Sequence, residues 1–188
     1  MIRTLLLCAM LLQASPQTAP KPSIDNDRVT VWDVAGPATA QPIDAVVVSL
    51  SGSAAFVPKG TTPHLAGESA AARSIVIDLK DHPVAPIPNT SGYPLAFPRP
   101  GSKKISENDR VIVWDYTWTP NMPTPMHFHD KDVVVVFLED GDLSSTTPDG
   151  KVTTNSYTSG TVRFNTRDRT HTETLVRGKQ RAIITELK

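Results

Sequence analysis

Two of the five histidines in this 188-residue chain, His127 and His129, are separated by a single residue. Side chains two positions apart on a β-strand point the same way, so on a strand the two imidazoles would face a common point. Two imidazoles on one face are half of a divalent-metal site. The alternative is a pair of exposed or hydrogen-bonded histidines, and the spacing alone is compatible with both.

Four other residues are candidates for binding a small molecule. Trp118 and Met126 lie close to the histidine pair in the sequence and could line a pocket. Arg163 and Asn165 alternate along a segment typical of a strand, and they could hydrogen-bond an anionic substrate. For Arg163 and Asn165 the alternative is an outward-facing strand edge.

The charge balance narrows the class of partner. Lys+Arg and Asp+Glu are 19 each, so the formal net charge is zero. That balance argues against an electrostatic nucleic-acid binder and against a polybasic membrane protein. The 17 prolines break helices and favour strands, turns and extended loops. We therefore expect a globular, β-rich protein whose partner is a small-molecule ligand or substrate.

Residues 1–19 have the pattern of an export signal, with the basic Arg3, an apolar run over residues 5–12 and a short polar segment. Eight apolar residues are too few to span a bilayer, so we expect cleavage and a periplasmic or extracellular protein without membrane contact. Cleavage would also remove Cys8, the only cysteine, and with it any internal disulfide, thiolate metal site or cysteine nucleophile. The alternative is an uncleaved N-terminal anchor.

Three pairs of similar segments form an internal repeat. Their order is kept and the spacing within a pair only grows along the chain, which predicts a diverged tandem duplication. Each segment is short, rich in Val, Ile and aromatic residues and bounded by turn-forming residues, which is typical of β-strands. No window has a convincing helical period, so we predict an all-β protein. The pairs are residues 26–33 and 108–115, 46–51 and 134–139, and 73–80 and 181–188.

Two motifs in the second copy resemble those of the cupin superfamily. Residues 122–141 resemble the first cupin motif, with His127 and His129 as its two histidines. Residues 160–171 resemble the second, in which a glycine is followed eleven residues later by a third histidine, here His171. The resemblance implies a jelly-roll barrel in which these three histidines bind one divalent metal ion.

The glutamate of the first cupin motif is missing, because its position falls on Val133 or Val134. The resemblance therefore implies a neutral shell of three histidines, which still binds Zn or Fe(II), with Mn, Ni and Cu also compatible. Export favours Zn over an oxygen-sensitive Fe(II) centre. The higher net charge of such a shell favours an anionic ligand or a metal-bound hydroxide.

Glu173, two residues after His171, is a candidate substitute for the missing carboxylate. If the strand continues, the two side chains share a face, and Glu173 could be a fourth ligand, a hydrogen-bond partner of a ligand or the general base. The alternative is a surface glutamate paired with Arg163 or Arg181.

Repeat and resemblance together divide the chain into four parts. The first half is too short to close a barrel and lacks the histidine pair, so we expect it to pack on the barrel as one cupin subunit packs on another. The parts are a signal peptide (1–19), a shortened, degenerate cupin-like half (24–80), a proline-rich extended connection (81–104) and the cupin barrel with the metal site (105–188).

Three polar residues near these motifs are expected to have no chemical role. Asp130 and Asp132 lie in the turn after the histidine pair and are expected to be solvated. His64, the counterpart of His171 in the first half, is expected to be a hydrogen-bonded structural residue.

Three functional hypotheses are compatible with the sequence. The first is an exported metal-binding cupin with a mononuclear three-histidine centre, acting as a dioxygenase, an isomerase or a hydrolytic enzyme on a small organic substrate. The second is a non-catalytic cupin that binds a sugar or an organic acid in the barrel mouth. The third is a structural subunit whose sheet edges mediate assembly. Neither enzymatic activity nor the choice between a homodimer and a monomer follows from the fold alone.

Overall fold

Residues 21–36, 38–67 and 73–188 are described by the computed structural model of this chain. Over these ranges the chain forms fourteen β-strands and no helix, and all ladders between the strands are antiparallel. The all-β prediction is therefore confirmed. The described residues contain no helix long and apolar enough to cross a bilayer. The export signal predicted for residues 1–19 lies outside the described residues.

The first five strands form one sheet in the order β1-β2-β5-β3-β4. Its two central strands, β3 and β5, are buried along nearly all of their length, which is why their sequences are continuous runs of Val and Ile rather than alternating patterns. The strands are β1 (Ile24–Asp25), β2 (Val29–Ala35), β3 (Ala45–Ser49), β4 (Ala54–Val57) and β5 (Arg73–Leu79).

The other nine strands form two sheets, in the orders β12-β9-β14-β7-β6 and β11-β10-β13-β8. A cluster of buried side chains that includes Phe97, Trp114 and Trp118 fills the space between them. The strands are β6 (Ser102–Glu107), β7 (Val111–Thr117), β8 (His127–His129), β9 (Asp132–Phe137), β10 (Gly141–Thr146), β11 (Val152–Tyr157), β12 (Val162–Asn165), β13 (Arg169–Gly178) and β14 (Arg181–Leu187).

Because β6 begins at Ser102, the extended connection ends earlier than residue 104, where the sequence predicted its end. The polar, lysine-containing sequence of β6 lacks the alternation of a half-buried strand. Its place at the edge of the sheet, paired only with β7, explains why that composition is tolerated.

The five-stranded sheet of the barrel, β12-β9-β14-β7-β6, contributes side chains to two hydrophobic cores. One of its faces lines the barrel, and the other packs against the N-terminal sheet through valines and isoleucines of both sheets, such as Val31, Ile77, Val134 and Ile183. The two five-stranded sheets also have the same central order, β2-β5-β3 in one and β7-β14-β9 in the other. The N-terminal part thus covers the outside of the barrel, as expected from its length.

Ion pairs between the two parts are reciprocal. Arg28 of the N-terminal part contacts Asp132 of the barrel (Nη1–Oδ2 2.6 Å), and Arg110 of the barrel contacts Asp44 of the N-terminal part (Nη1–Oδ2 3.2 Å). Arg28 and Arg110 are equivalent positions of the repeat, and Asp44 and Asp132 each lie two residues before its second pair of similar segments. Reciprocal contacts of this kind are what a two-fold axis between two similar units produces. They support the predicted duplication.

The aspartates after the histidine pair are not solvated, so that prediction is wrong. Asp132 is 5% exposed and is paired with Arg28, while Asp130 is 8% exposed and accepts a hydrogen bond from Lys131 Nζ at 2.8 Å. Asp132 also accepts a hydrogen bond from the backbone N–H of Arg167 at 2.8 Å. Arg28 lies more than one hundred residues away in the sequence and Arg167 lies 35 residues away, so a local pattern does not show either partner.

Candidate metal centre

Two neighbouring strands bring the three histidines together. His127 on β8 lies directly opposite His171 on β13, and His129, two residues further along β8, points to the same side. The ring centroids are 5.0 Å apart for His127 and His129, 4.7 Å for His127 and His171, and 5.0 Å for His129 and His171. One nitrogen from each ring can be chosen so that the three nitrogen atoms lie within 4.8 Å of one another. A group of this size could hold a metal ion.

Burial keeps these imidazoles neutral. His127, His129 and His171 are 1%, 6% and 7% exposed. Desolvation, aided by the nearby Arg99 guanidinium, lowers the pKa of His127 to about 3. Desolvation likewise places the pKa of His129 well below its usual value and lowers that of His171. Neutral imidazole is the form that binds metals, so the site is prepared for a cation without first losing protons.

The hydrogen bonds of the rings differ in a way that bears on metal binding. His127 Nδ1 lies 2.7 Å from the carbonyl oxygen of Pro125, which can only accept, so Nδ1 carries the proton and Nε2 is left with a lone pair. Both ring nitrogens of His129 are buried, and in the described part of the chain neither has a hydrogen-bond partner. A buried, unsatisfied polar group costs about 1–3 kcal/mol. A bound metal ion would remove that cost at one of the two His129 nitrogens, so the donor set fits a metal.

Glu173 lies beside the histidines rather than on the surface. Its Oε1 is 3.7 Å from His171 Nε2, and its Oε2 accepts hydrogen bonds from Arg99 Nη2 at 3.0 Å and from Trp118 Nε1 at 3.1 Å. Burial alone would raise the pKa of Glu173, but the Arg99 guanidinium, helped by the hydrogen bond from Trp118, brings it below its usual value. Glu173 is therefore an ionised carboxylate at the site. Glu173 thus lies on the same face as His171, as predicted.

The alternative partners proposed for Glu173 are wrong. Arg181 pairs with Asp115 at 2.8 Å, and the partner of Glu173 is Arg99, a residue that the sequence did not single out. Arg99 belongs to the proline-rich segment predicted to be only a connection. Its guanidinium stacks over the rings of Tyr116, at 4.3 Å, and Phe97, at 4.8 Å, and Nη1 donates a hydrogen bond to His127 Nε2 at 2.5 Å.

A cavity of about 210 Å³ opens onto the site. Of the predicted binding residues, Trp118, Arg163 and Asn165 line it, together with Glu173; Met126 is half-buried and is not one of its lining residues. The remaining wall is partly apolar and partly polar. The other lining residues are Arg99, His129, Val133, Val135, Phe137, Leu143, Ser145, Thr153, Asn155, Tyr157, Arg169, His171 and Ile184.

The wall also shows which residue stands in the place of the missing cupin glutamate. Val133 faces the cavity, whereas Val134 points the other way, into the core between the barrel and the N-terminal sheet. Of the two positions left open by the sequence, Val133 is therefore the one beside the histidines. Its aliphatic side chain supplies no ligand atom.

The cavity has an excess of positive charge. Three arginines line it, Arg99, Arg163 and Arg169, against the single carboxylate of Glu173. Arg99 is paired with Glu173, while Arg163 and Arg169 form no ion pair with any described residue. His64 of the first half, expected from the sequence to be a hydrogen-bonded structural residue, is exposed instead.

No protein-family model matches the chain, and no curated protein sequence matches it either. Among solved structures, it is similar to a cupin domain from Bordetella pertussis, with 27% identity, a TM-score of 0.43 and coverage of 48% of this chain and 97% of that one. A cupin 2 conserved barrel domain protein from Leptotrichia buccalis matches at 10% identity and a TM-score of 0.48, over 95% of this chain and 92% of that one. A cupin-2 domain containing protein from Shewanella frigidimarina matches at 17% identity and a TM-score of 0.36, over 47% of this chain and 82% of that one.

Residues 102–187 form a jelly-roll barrel of two facing antiparallel sheets. The two segments that resemble the cupin motifs place three histidines on its neighbouring strands β8 and β13. The cupin resemblance of the sequence is thereby supported. The degenerate character of the N-terminal half stays a prediction.

Proposed function

We propose that the protein is an exported metal-binding cupin with a mononuclear centre held by His127, His129 and His171. The observation that carries the proposal is His129, whose two buried ring nitrogens have no hydrogen-bond partner among the described residues although two further imidazoles lie within reach of the same point. A purely structural histidine in a core is expected to be hydrogen-bonded. Zn or Fe(II) is the proposed metal, with Mn, Ni and Cu also compatible with three imidazoles.

The residues around the histidines support a reaction on a small organic substrate. A bound metal ion would supply Lewis acidity toward an oxygen ligand. Glu173, ionised and 3.7 Å from His171, is the proposed proton acceptor. Trp118 provides an aromatic wall, and Arg163 and Asn165 provide donors for a polar substrate group. A dioxygenase, an isomerase and a hydrolytic enzyme remain the candidate reaction classes.

A specific observation favours the second candidate, a non-catalytic cupin that binds an organic acid or a sugar. The position of the usual cupin glutamate is taken by Val133, and the lone pair of His127 Nε2 is already engaged by Arg99. A binding protein could use the arginines and the polar wall of the cavity without any metal.

Metal content tests the proposal directly. We expect the protein, purified without an affinity tag, to contain about one equivalent of metal by inductively coupled plasma mass spectrometry. The variants His127→Ala, His129→Ala and His171→Ala should each lose it. His64→Ala and His82→Ala are matched controls, because both histidines are exposed and lie outside the cavity, and they should keep the metal.

A negative result would be equally informative. If neither the purified protein nor the protein incubated with Zn, Fe(II), Mn, Ni and Cu in turn retains metal, the metal-binding proposal is wrong and the binding-protein candidate takes its place. His171→Ala is a second, independent test of the two candidates: a metalloenzyme would lose its metal and its activity, whereas a metal-free binder would keep its ligand.

A further inference from the structure

The Arg99 guanidinium is a fixed cation in contact with the histidine cluster. It is 9% exposed and is held from several sides, by His127, by Glu173 and by the rings of Phe97 and Tyr116. Its Nε is buried without a hydrogen-bond partner in the described ranges. A cation held this closely is unusual beside a site built for another cation, since the two charges repel each other strongly when water is excluded.

Arg99 and a metal ion compete for the same lone pair. His127 donates through Nδ1 to the carbonyl oxygen of Pro125, so Nε2 is its only acceptor. Arg99 Nη1 lies 2.5 Å from Nε2 and 3.0 Å from Nδ1, so it contacts both ring nitrogens, of which only Nε2 can accept its N–H. One lone pair cannot bind a metal ion and accept this hydrogen bond together. A metal ligated by His127 therefore leaves Arg99 Nη1 as a charged donor without its present acceptor.

With a metal ion bound, the cavity would need an anion to balance its positive charges. Glu173 balances one positive charge, but Arg163 and Arg169 line the same cavity without carboxylate partners among the described residues, and a divalent ion would add two further charges. A guanidinium recognises carboxylates with high geometric specificity. The wall beside these charges is apolar, formed by side chains such as Val133, Val135 and Phe137.

We propose that Arg99 is the oxyanion-recognition residue of this site and that the cavity binds a small organic carboxylate with an apolar body. This inference deepens the proposed function and rests on it, because the donor of Arg99 becomes available only when a metal takes His127. A metal ion bound to His127 frees the Arg99 donor for the carboxylate, and the carboxylate balances the positive charge that the metal ion adds. Each ligand should therefore strengthen the binding of the other.

The test is a titration with Co(II), followed by isothermal titration calorimetry and by the visible absorption of the bound ion, with benzoate as the probe carboxylate. In the unsubstituted protein, saturating benzoate should tighten Co(II) binding about tenfold, within the usual range of coupling between two ligands. Benzamide, a neutral molecule of the same shape, should leave Co(II) affinity unchanged. Inorganic phosphate should couple more weakly than benzoate, because it has no apolar body.

Arg99→Met assigns the effect to the residue. It removes the competitor for His127, so Co(II) should bind more tightly than to the unsubstituted protein when no carboxylate is present, while the benzoate effect should fall below about twofold. Arg177→Met is the matched control, since it removes one arginine of β13 that is exposed and lies outside the cavity. It should behave as the unsubstituted protein does.

The outcomes separate the two proposals. Absence of Co(II) binding in both the unsubstituted protein and Arg99→Met would overturn the metal centre itself. Co(II) binding with the same benzoate effect in both proteins, or a stronger effect of phosphate than of benzoate, would overturn only the role of Arg99 or the carboxylate class. If Arg99→Met fails to fold by circular dichroism, Arg99→Lys decides, because lysine lacks the guanidinium fork; a benzoate effect equal to that of the unsubstituted protein would then contradict the inference.

Discussion

Arg99 and Glu173 form a buried ion pair, with Nη2 3.0 Å from Oε2, in which the arginine side chain is 5% and the glutamate side chain 19% exposed. Removing one member of such a pair leaves an uncompensated charge in a medium of low polarity. The pair therefore fixes both the position of the guanidinium at the histidines and the ionised state of Glu173.

Glu173→Gln is expected to lower the free energy of unfolding by about 3 kcal/mol, because Arg99 stays buried without its counter-charge. Urea unfolding of the metal-free protein measures the loss. Asp142→Asn is the control: its partner Arg177 is largely exposed, so the same chemical change there should cost less than about 1 kcal/mol. Equal losses of unfolding free energy in the two variants would mean that the Arg99–Glu173 pair contributes no more to stability than an exposed ion pair does.

His129→Leu should raise the thermal stability of the metal-free protein while abolishing metal binding. It replaces two unsatisfied buried nitrogens by apolar atoms of similar volume, a gain of about 1–2 kcal/mol. His127→Leu should do the opposite to stability, because it breaks the hydrogen bonds to Pro125 and Arg99. Differential scanning calorimetry in the presence of a chelator compares the two. A destabilised His129→Leu would show that His129 serves the fold rather than a ligand.

The all-β architecture and the pair of His127 and His129 could be predicted because both depend on local spacing, whereas His171 was added to the pair only through the cupin resemblance. Strand runs, turn residues and the i, i+2 histidines are visible within a few residues of sequence. Arg99 could not be predicted, because it reaches the site through an aperiodic proline-rich segment whose path is set by packing on Phe97 and Tyr116. The prediction that Met126 lines the pocket failed for a different reason. It relied on the proximity of Met126 to His127 in the sequence, but a residue adjacent in the sequence need not point into the same cavity.

Glu186→Gln is expected to stabilise the protein near neutral pH. Glu186 is 4% exposed, and desolvation raises its pKa despite the hydrogen bond that Trp114 Nε1 donates to it at 2.8 Å. The folded state therefore binds this proton more tightly than the unfolded state does, so the contribution of Glu186 to stability is complete at low pH and is lost as pH rises through the folded pKa. Glutamine keeps the acceptor for Trp114 without a charge.

The gain from Glu186→Gln should thus be about 1 kcal/mol at about pH 7.5 and should vanish toward about pH 4, as measured by urea unfolding at both values. Glu139→Gln, on the exposed loop after β9, should change stability at neither pH. A gain that stayed constant with pH would contradict a buried carboxylate as its source.

Arg28→Met is expected to destabilise the chain more than Arg110→Met, although the two arginines occupy equivalent positions of the repeat. The side chains of Arg28 and Asp132 are 9% and 7% exposed, whereas those of Arg110 and Asp44 are 29% and 30% exposed. We expect losses of about 3 kcal/mol and about 1 kcal/mol. Chemical denaturation of both variants at one pH gives the comparison, and a larger loss in Arg110→Met would refute it.

The predicted duplication has a testable consequence for assembly. Without residues 1–80, the barrel would expose the apolar face that the N-terminal sheet covers, and a face so shaped should pair with a second copy of itself. In that homodimer, Arg110 of one copy would meet Asp132 of the other, as Arg28 does in the intact chain. Light scattering coupled to size exclusion should therefore find a dimer for residues 81–188 and a monomer for the intact protein. Val134→Lys, in the centre of the face, should keep the truncated barrel monomeric; a truncated barrel that is monomeric without this substitution would contradict the idea that the N-terminal sheet replaces a partner subunit.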